Sequence, residues 1–206
     1  FIPLPDERLG IVIADVTDKG AGAALFMASC RTLVRTYAEI YPSRPEQVLA
    51  AVNRRLLLDT HAGLYITVFY GVLDPALGRL VYCNAGHNPP YLFRAPDGET
   101  VQSLPSTGIA IGIMPEARWT QREIQLDAQD VLFLFTDGVT EAQDERQALY
   151  GEGRLLEAGR LALSAQDEHR QPAATVLASV LADIRRFVGG AARSDDLTLM
   201  VMRRSE

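Results

Sequence analysis

Cysteine is scarce in this 206-residue chain, with only Cys30 and Cys83, and neither stands in a CxxC or other metal-ligand spacing. In a chain of this size that pattern excludes a disulfide-stapled scaffold and reads as two reduced, buried thiols of a cytoplasmic protein, with a Cys30–Cys83 disulfide as the lesser alternative. Histidine is nearly as rare, at three residues. No apolar run approaches the ~18 residues a membrane span needs, so no membrane contact is expected. Basic excess is missing too. The formal net charge is −6, and nucleic acid, which selects a basic surface, is not an expected partner. The opening Phe1-Ile2-Pro3-Leu4-Pro5 has no basic flank or long apolar stretch, which excludes a signal peptide and reads as the interior of something larger. Internal repeats and low-complexity segments are absent.

What is present is a globular composition. Apolar residues make up 48% of the chain, enough for a core, and the length fits a single domain over residues 1–206. Leu9–Ala14 reads as a buried strand ending at Asp15. A glycine-containing turn, Val16 to Gly22, leads into a helix over Ala23–Tyr41, whose apolar face is expected along Leu25, Ala28, Thr32, Val34, Tyr37 and Tyr41. A second helix spans Pro45–Asp59, with Val48, Leu49, Val52 and Leu56 on one face and Arg54 and Arg55 on the other. Strands then dominate. Leu64–Leu73 and Arg79–Asn84 form a hairpin, Pro90–Arg94 and Glu99–Leu104 another around Pro96-Asp97-Gly98, and Thr120–Leu126 alternates. Asp130–Phe135 is almost wholly apolar and hence central. Helices follow near Gly153–Ser164 and Pro172–Val188, separated by a polar loop at Gln166–Gln171, and Leu197–Met202 closes the chain. Hairpin-linked strands without βαβ alternation predict an α+β fold of antiparallel sheets flanked by helices.

Three aspartate sites share one placement. Asp15 and Asp137 end apolar strands, and Asp195 and Asp196 precede the last one. A buried strand fixes its end residue well, which suits metal ligation. Carboxylates without cysteine and with few histidines select a hard cation such as Mg²⁺ or Mn²⁺. Each site taken alone reads rather as a turn device, since Asp before Gly commonly only turns the chain, and the three together put the metal and turn readings on an equal footing.

The motifs carry a specific resemblance. Ile13-Ala14-Asp15-Val16-Thr17-Asp18-Lys19-Gly20 with Ala23-Ala24-Leu25-Phe26-Met27-Ala28, Asn84-Ala85-Gly86-His87-Asn88-Pro89-Pro90, Phe135-Thr136-Asp137-Gly138-Val139-Thr140-Glu141-Ala142 and Ser194-Asp195-Asp196-Leu197-Thr198-Leu199 occur in that order. Together they resemble the SpoIIE/RsbU-type serine/threonine phosphatases, a bacterial branch of the metal-dependent, protein phosphatase 2C-like superfamily. The resemblance implies an αββα sandwich of two antiparallel sheets flanked by helix pairs. It implies two divalent ions, Mn²⁺ or Mg²⁺, with Asp15 bridging both, the Val16 carbonyl as a further ligand, and Asp137 and Asp195 completing one shell. Asp196 would cap or orient. The implied reaction is hydrolysis of phosphoserine or phosphothreonine by water activated between the ions, without a phospho-enzyme.

Two departures stand out. The family's Gly-Gly-Asp strand motif, which supplies another ligand, has no counterpart, since Asp6 lies in a Pro-Asp-Glu-Arg turn. The expectation is that this strand, and a sensor or other regulatory region, lie upstream. The family's Ser-Gly-Lys-Gly appears as Thr17-Asp18-Lys19-Gly20, which places a carboxylate near the ions and Thr17 where eukaryotic relatives carry an acid histidine. His87 is read as holding its own turn, with a general-acid role as the alternative. Lys19, beside Gly20, reads as a phosphate contact or an ordinary loop lysine. His61, His169 and Arg193 read as surface residues. The resemblance implies a phosphorylated anti-sigma-factor antagonist as substrate, and a homodimer is compatible with it. It also makes the two early helices switch elements, with ordinary core packing as the alternative. Competing functions are a catalytically impaired binding module of the same fold and another two-metal hydrolase acting on nucleotides or small phosphoesters.

Overall fold

A computed structural model describes residues 1–59, 63–96, 98–164, 172–192 and 195–205. The polar loop Gln166–Gln171, His61, His169, Asp97, Arg193 and Ser194 lie outside the described residues. The chain divides into two units that interleave in sequence, Phe1–His87 with Pro105–Leu126, and Asn88–Leu104 with Asp127–Glu206.

The first unit is a five-stranded sheet in the order β1-β2-β3-β4-β7, every pair antiparallel. Its strands are β1 (Ile2–Pro3), β2 (Leu9–Val16), β3 (Ile66–Asp74), β4 (Arg79–Ala85) and β7 (Arg122–Gln125), and its helices are α1 (Ala21–Ile40) and α2 (Pro45–Asp59). Asp6 and Glu7, with φ of 58° and 57°, form the tight turn between β1 and β2. Two successive left-handed residues match the twist of a hairpin. The Pro-Asp-Glu-Arg reading as a turn therefore holds. Strand β3 is the hub, because it pairs with β2 from Val16↔Ile66 to Leu9↔Leu73 and with β4 along its other edge.

Helix α2 buries the expected face, with Val48, Leu49, Val52 and Leu56 at 2% exposure or less, while Arg54 and Arg55 are exposed. Each such side chain contributes roughly 1.5–3 kcal/mol relative to exposure. Helix α1 corrects the first half of the expected apolar face and bears out the second, where Val34 is buried and Tyr37 and Tyr41 pack against the core. The buried residues are Ala23, Phe26, Cys30, Val34 and Ala38, while Leu25 is 70% exposed and Ala28 and Thr32 lie outside. Both series step by three and four. The one containing Phe26 and Cys30 wins because it packs with Val48, Val52, Val68 and Tyr70 in one core.

The second unit is a four-stranded antiparallel sheet in the order β6-β5-β8-β9. It comprises β5 (Tyr91–Phe93), β6 (Val101–Ser103), β8 (Val131–Phe135) and β9 (Leu199–Arg203), with α3 (Asp137–Thr140), α4 (Gly151–Ser164) and α5 (Ala173–Val188). All five residues of β8 are buried, as expected of a central strand. Helix α5 buries Val176, Val180 and Ile184, a four-residue repeat on one face, into a core shared with Phe93, Phe133 and Leu155 of the same unit. Asp130 anchors the hairpin. Its carboxylate is buried and accepts bonds from Arg94 Nη1 at 2.7 Å, Ala95 N at 2.8 Å and Asp127 N at 2.9 Å.

Both cysteines are free and buried. Burial pushes the Cys30, Cys83 and Tyr70 side chains up to about 12. The folded state therefore resists ionisation that the unfolded chain undergoes from its ordinary pKa upward. The stability these groups contribute is complete below pH 9 and is lost as pH rises toward about 12. The midpoint of urea unfolding should accordingly be flat from neutrality to pH 8.5 and then fall, with both thiols inert to a thiol reagent until unfolding. Thiols titrated quickly by the folded protein at pH 8 would contradict this. Asp130→Ala should cost about 3 kcal/mol, because it removes the buried carboxylate shared by Arg94 Nη1 and two backbone donors, while Arg94 keeps Asp127 and Gln102. Urea titration of that variant measures the loss.

Candidate metal centre

In the second unit the chain brings two of the acidic motifs together through Thr136. This residue is buried between β8 and α3. Its N–H donates to the Thr198 carbonyl at 3.1 Å, its hydroxyl accepts from Thr198 N at 3.2 Å, and the same hydroxyl approaches the Asp196 carbonyl at 3.3 Å. The pairing register of β8 and β9 thereby continues past their ends, toward Asp137 on one strand and toward Asp195 and Asp196 on the other. Gly138 makes this approach possible. A Cβ at that position would stand 2.1 Å from the Asp196 carbonyl oxygen, so only hydrogen fits.

Asp137 does not simply end its strand, because it opens the four-residue helix α3. Its backbone carbonyl accepts from Glu141 N at 2.7 Å and from Thr140 Oγ1 at 3.2 Å. Its Oδ1, in contrast, is buried and meets no hydrogen-bond donor among the described residues. A buried carboxylate oxygen left without a partner is costly, and a cation would remove that cost. This carboxylate fits a hard-metal ligand. Asp195 Oδ1 accepts from Asp196 N at 2.9 Å, and both residues are exposed. They do not immediately precede the strand as expected, since β9 begins at Leu199. Leu197 and Thr198 instead belong to the joint with Thr136.

In the first unit, Asp15 is half-buried and lies one residue inside the end of β2, in register with Thr67. The strand continues through Val16, which pairs with Ile66. Thr17 extends the contact: its N–H donates to the Tyr65 carbonyl at 3.0 Å, its hydroxyl donates to the same oxygen at 2.9 Å, and that hydroxyl accepts from Tyr65 N at 3.2 Å. The Thr17 hydroxyl is thus committed to the backbone. Asp18, where the family carries glycine, has φ 77°. Aspartate tolerates this left-handed geometry when its side chain bonds locally, and Asp18 Oδ1 accepts from Lys19 N at 2.8 Å. Lys19 is exposed, and Gly20, with φ 102°, precedes α1 as its N-cap.

His87 holds its own turn, as the sequence reading favoured. Its N–H donates to Asn84 Oδ1 at 2.8 Å, Asn84 Nδ2 donates to its carbonyl at 3.0 Å, and its Nδ1 lies 2.8 Å from Thr67 Oγ1. The sequence reading assigned no role to Thr136 or Thr67. Thr136 stood inside a quoted motif, between an apolar strand and Asp-Gly, and that position was the available signal. Among the described residues no group of three or more His, Cys, Asp or Glu side chains is gathered around one point.

The architecture defines the class, an α+β fold of the protein phosphatase 2C kind. Residues 5–205 match the model of the Stage II sporulation protein E (SpoIIE) family, and the chain belongs to that family. It is 29% identical over 229 residues to Protein IcfG of Synechocystis, covering 98% of this chain and 34% of that protein. It is 30% identical over 203 residues to Phosphoserine phosphatase RsbU of Bacillus subtilis, covering 96% of this chain and 56% of that protein. The chain thus spans between a third and somewhat over half of these relatives' lengths. Among solved structures, the RsbU and RsbW domains of Rv1364c from Mycobacterium tuberculosis superpose with a TM-score of 0.79 at 26% identity, covering 96% of this chain and 52% of that one. Two further structures share the fold alone. The PP2C phosphatase domain of SpoIIE from Bacillus subtilis gives a TM-score of 0.74 at 19% identity, covering 95% of this chain and 54% of that one. The catalytic domain of PstP in complex with 2 manganese ions gives 0.65 at 15%, covering 93% and 86%.

Gly138→Ala should lower stability by about 2 kcal/mol, because the Asp196 backbone must move to admit a methyl group. Calorimetry with Mn²⁺ on the same variant should show weaker binding under the ligand role proposed below for Asp137 and Asp195.

Proposed function

We propose that this chain is the catalytic domain of a metal-dependent protein serine/threonine phosphatase, acting on phosphoserine or phosphothreonine of an anti-sigma-factor antagonist. The observation that carries the reading is the joint of Thr136 and Gly138, which locks two acidic motifs together beside a carboxylate oxygen that meets no donor among the described residues. Family membership, and the phosphoserine phosphatase activity for which the relative RsbU is named, support it.

In this reading Asp15, the Val16 carbonyl, Asp137 and Asp195 hold two divalent cations, Mn²⁺ or Mg²⁺, and Asp196 orients Asp195. The fold neighbour PstP, crystallised with two manganese ions, supports that count. When bound, such ions neutralise phosphoryl oxygens and acidify a water between them. The chain itself supplies position. Asp15 sits on a strand paired along its length, and Asp137 is fixed by the carbonyl bonds of α3. Lys19 offers a point charge for phosphate. Thr17 cannot serve as a proton donor to the leaving group while its hydroxyl bonds Tyr65. Neither cysteine is a thiolate nucleophile near neutrality, because burial raises both.

A regulatory region and a further acidic strand upstream of Phe1 complete the proposal. Strand β1 pairs with β2 only at Gly10 and Leu9. On that side Ile11–Val16 have no strand partner among the described residues, and an extension of β1 would run along them toward Asp15. No described helix is long and apolar enough to cross a membrane. A cytoplasmic location and a homodimer belong to the same proposal.

Mn²⁺-dependent phosphate release from a phosphoserine protein tests the reading. Asp137→Asn should reduce kcat by at least about 10²-fold while leaving the fold intact by circular dichroism, on the scale of losing one electrostatic group from a transition state. Wild-type protein that binds the phosphoprotein without releasing phosphate would identify the impaired binding module instead.

A further inference from the structure

A cleft of about 500 Å³ lies wholly within the second unit. Its apolar wall comes from Leu181, Ile184 and Val188 of α5 with Ala142 and Leu197, and Asp195 stands among the lining residues. The wall is built rather than incidental. Ile184 is anchored in the core at 2% exposure, and the turn after Gln143 is organised by Asp144, whose Oδ1 accepts from Arg146 N at 2.8 Å and Ala148 N at 2.9 Å. Glu145 Oε1 accepts from Gly190 N at 3.3 Å and ties that turn to the end of α5.

Among the described residues, two charged side chains line the cleft, Asp195 and Arg185. With Asp195 committed to a cation, Arg185 is the charge left for a ligand. It is exposed and enters no ion pair among the described residues, whereas the adjacent Arg186 is paired with Asp183 at 2.9 Å. Among the described residues the lining has no aromatic side chain on which a nucleotide base could stack, and it sets polar atoms beside its apolar wall. It suits an aliphatic side chain with an acidic neighbour.

We infer that this cleft is a substrate-docking subsite, taking an aliphatic residue and an adjacent acidic residue of the phosphoserine-bearing polypeptide, with the carboxylate on Arg185. The inference rests on the phosphatase reading, because it is Asp195 that joins the cleft to the reacting phosphate. It names what that site selects beyond the phosphate itself.

The test uses the full chain with Mn²⁺ and two phosphoserine peptides that differ only in carrying Leu-Glu or Leu-Lys beside the phosphoserine. Wild-type protein should favour the Leu-Glu peptide by about tenfold, expressed in KM rather than kcat, the scale of one good charge contact. Arg185→Glu should invert that preference, and Leu181→Trp should raise KM for both peptides by filling the cleft. Should Leu181→Trp fail to fold, the exposed Arg185→Glu still decides the matter. Binding of fluorescein-labelled peptides with a phosphonate in place of the phosphate is measured in parallel by anisotropy. Phosphate release with the same peptide preference in wild type and Arg185→Glu would overturn the subsite and leave the phosphatase reading standing. A binding preference that inverts without any phosphate release would keep the subsite and overturn the phosphatase.

Discussion

The closest constraint in the molecule is the backbone approach of Gly138 to Asp196. Two chain segments that far apart in sequence meet with no room for a methyl group, and the contact is stitched by both the N–H and the hydroxyl of Thr136. Everything proposed for the second acidic motif follows from it. The sheet pairing of β8 and β9 brings the segments side by side, Thr136 carries the register one step further, and at that point Asp137 has a buried oxygen that meets no donor among the described residues. Interactions of this kind carry little energy each, but they leave the carboxylates few alternative positions, which is what ligation of a hard cation demands.

The first unit reaches a comparable end by different means. Asp15 is fixed by position in a strand that is paired over its full length with β3. The turn beyond it is held by Thr17 against Tyr65, and by an aspartate that satisfies its own strained backbone. Behind the strand, Thr67 links to the closed Asn84–His87 turn. Histidine here is architecture, and the polar residues that surround the candidate ligands spend their hydrogen bonds on backbone.

Much of this was legible in the sequence because hairpins announce themselves. Alternating or fully apolar runs bounded by Asp-Pro, Pro-Asp-Gly and Pro-rich turns placed β4, β5 and β8 to within a residue at each end, and β3 and β6 to within two, with β6 half its expected length; the helix over Pro45–Asp59 was read with its face correct. The face of α1 was legible from Val34 onward but not in its first turns, where the helix is rich in alanine, two three-and-four series compete and only tertiary packing on Phe26 chooses between them. The start of β9 was placed two residues early because Leu197 and Thr198 look like strand but serve the Thr136 joint. Strand β1, only two residues long, was below what periodicity can detect. The acidic residues themselves were visible. Their grouping came from the order of the motifs, since carboxylates so distant in sequence have no local spacing to betray them.

The two units are threaded through one another along the chain, and each is built from two separate stretches. Neither can be finished in order of synthesis. The first must wait for β7 at Arg122–Gln125, by which point the β5–β6 hairpin of the second has already emerged without its central strand. The second cannot close until Leu199–Arg203 supplies the last edge beside β8. Val131–Phe135, apolar throughout, gains its second strand neighbour only when Leu199–Arg203 has been made, so completing each unit rests on contacts between stretches far apart in sequence, which form slowly.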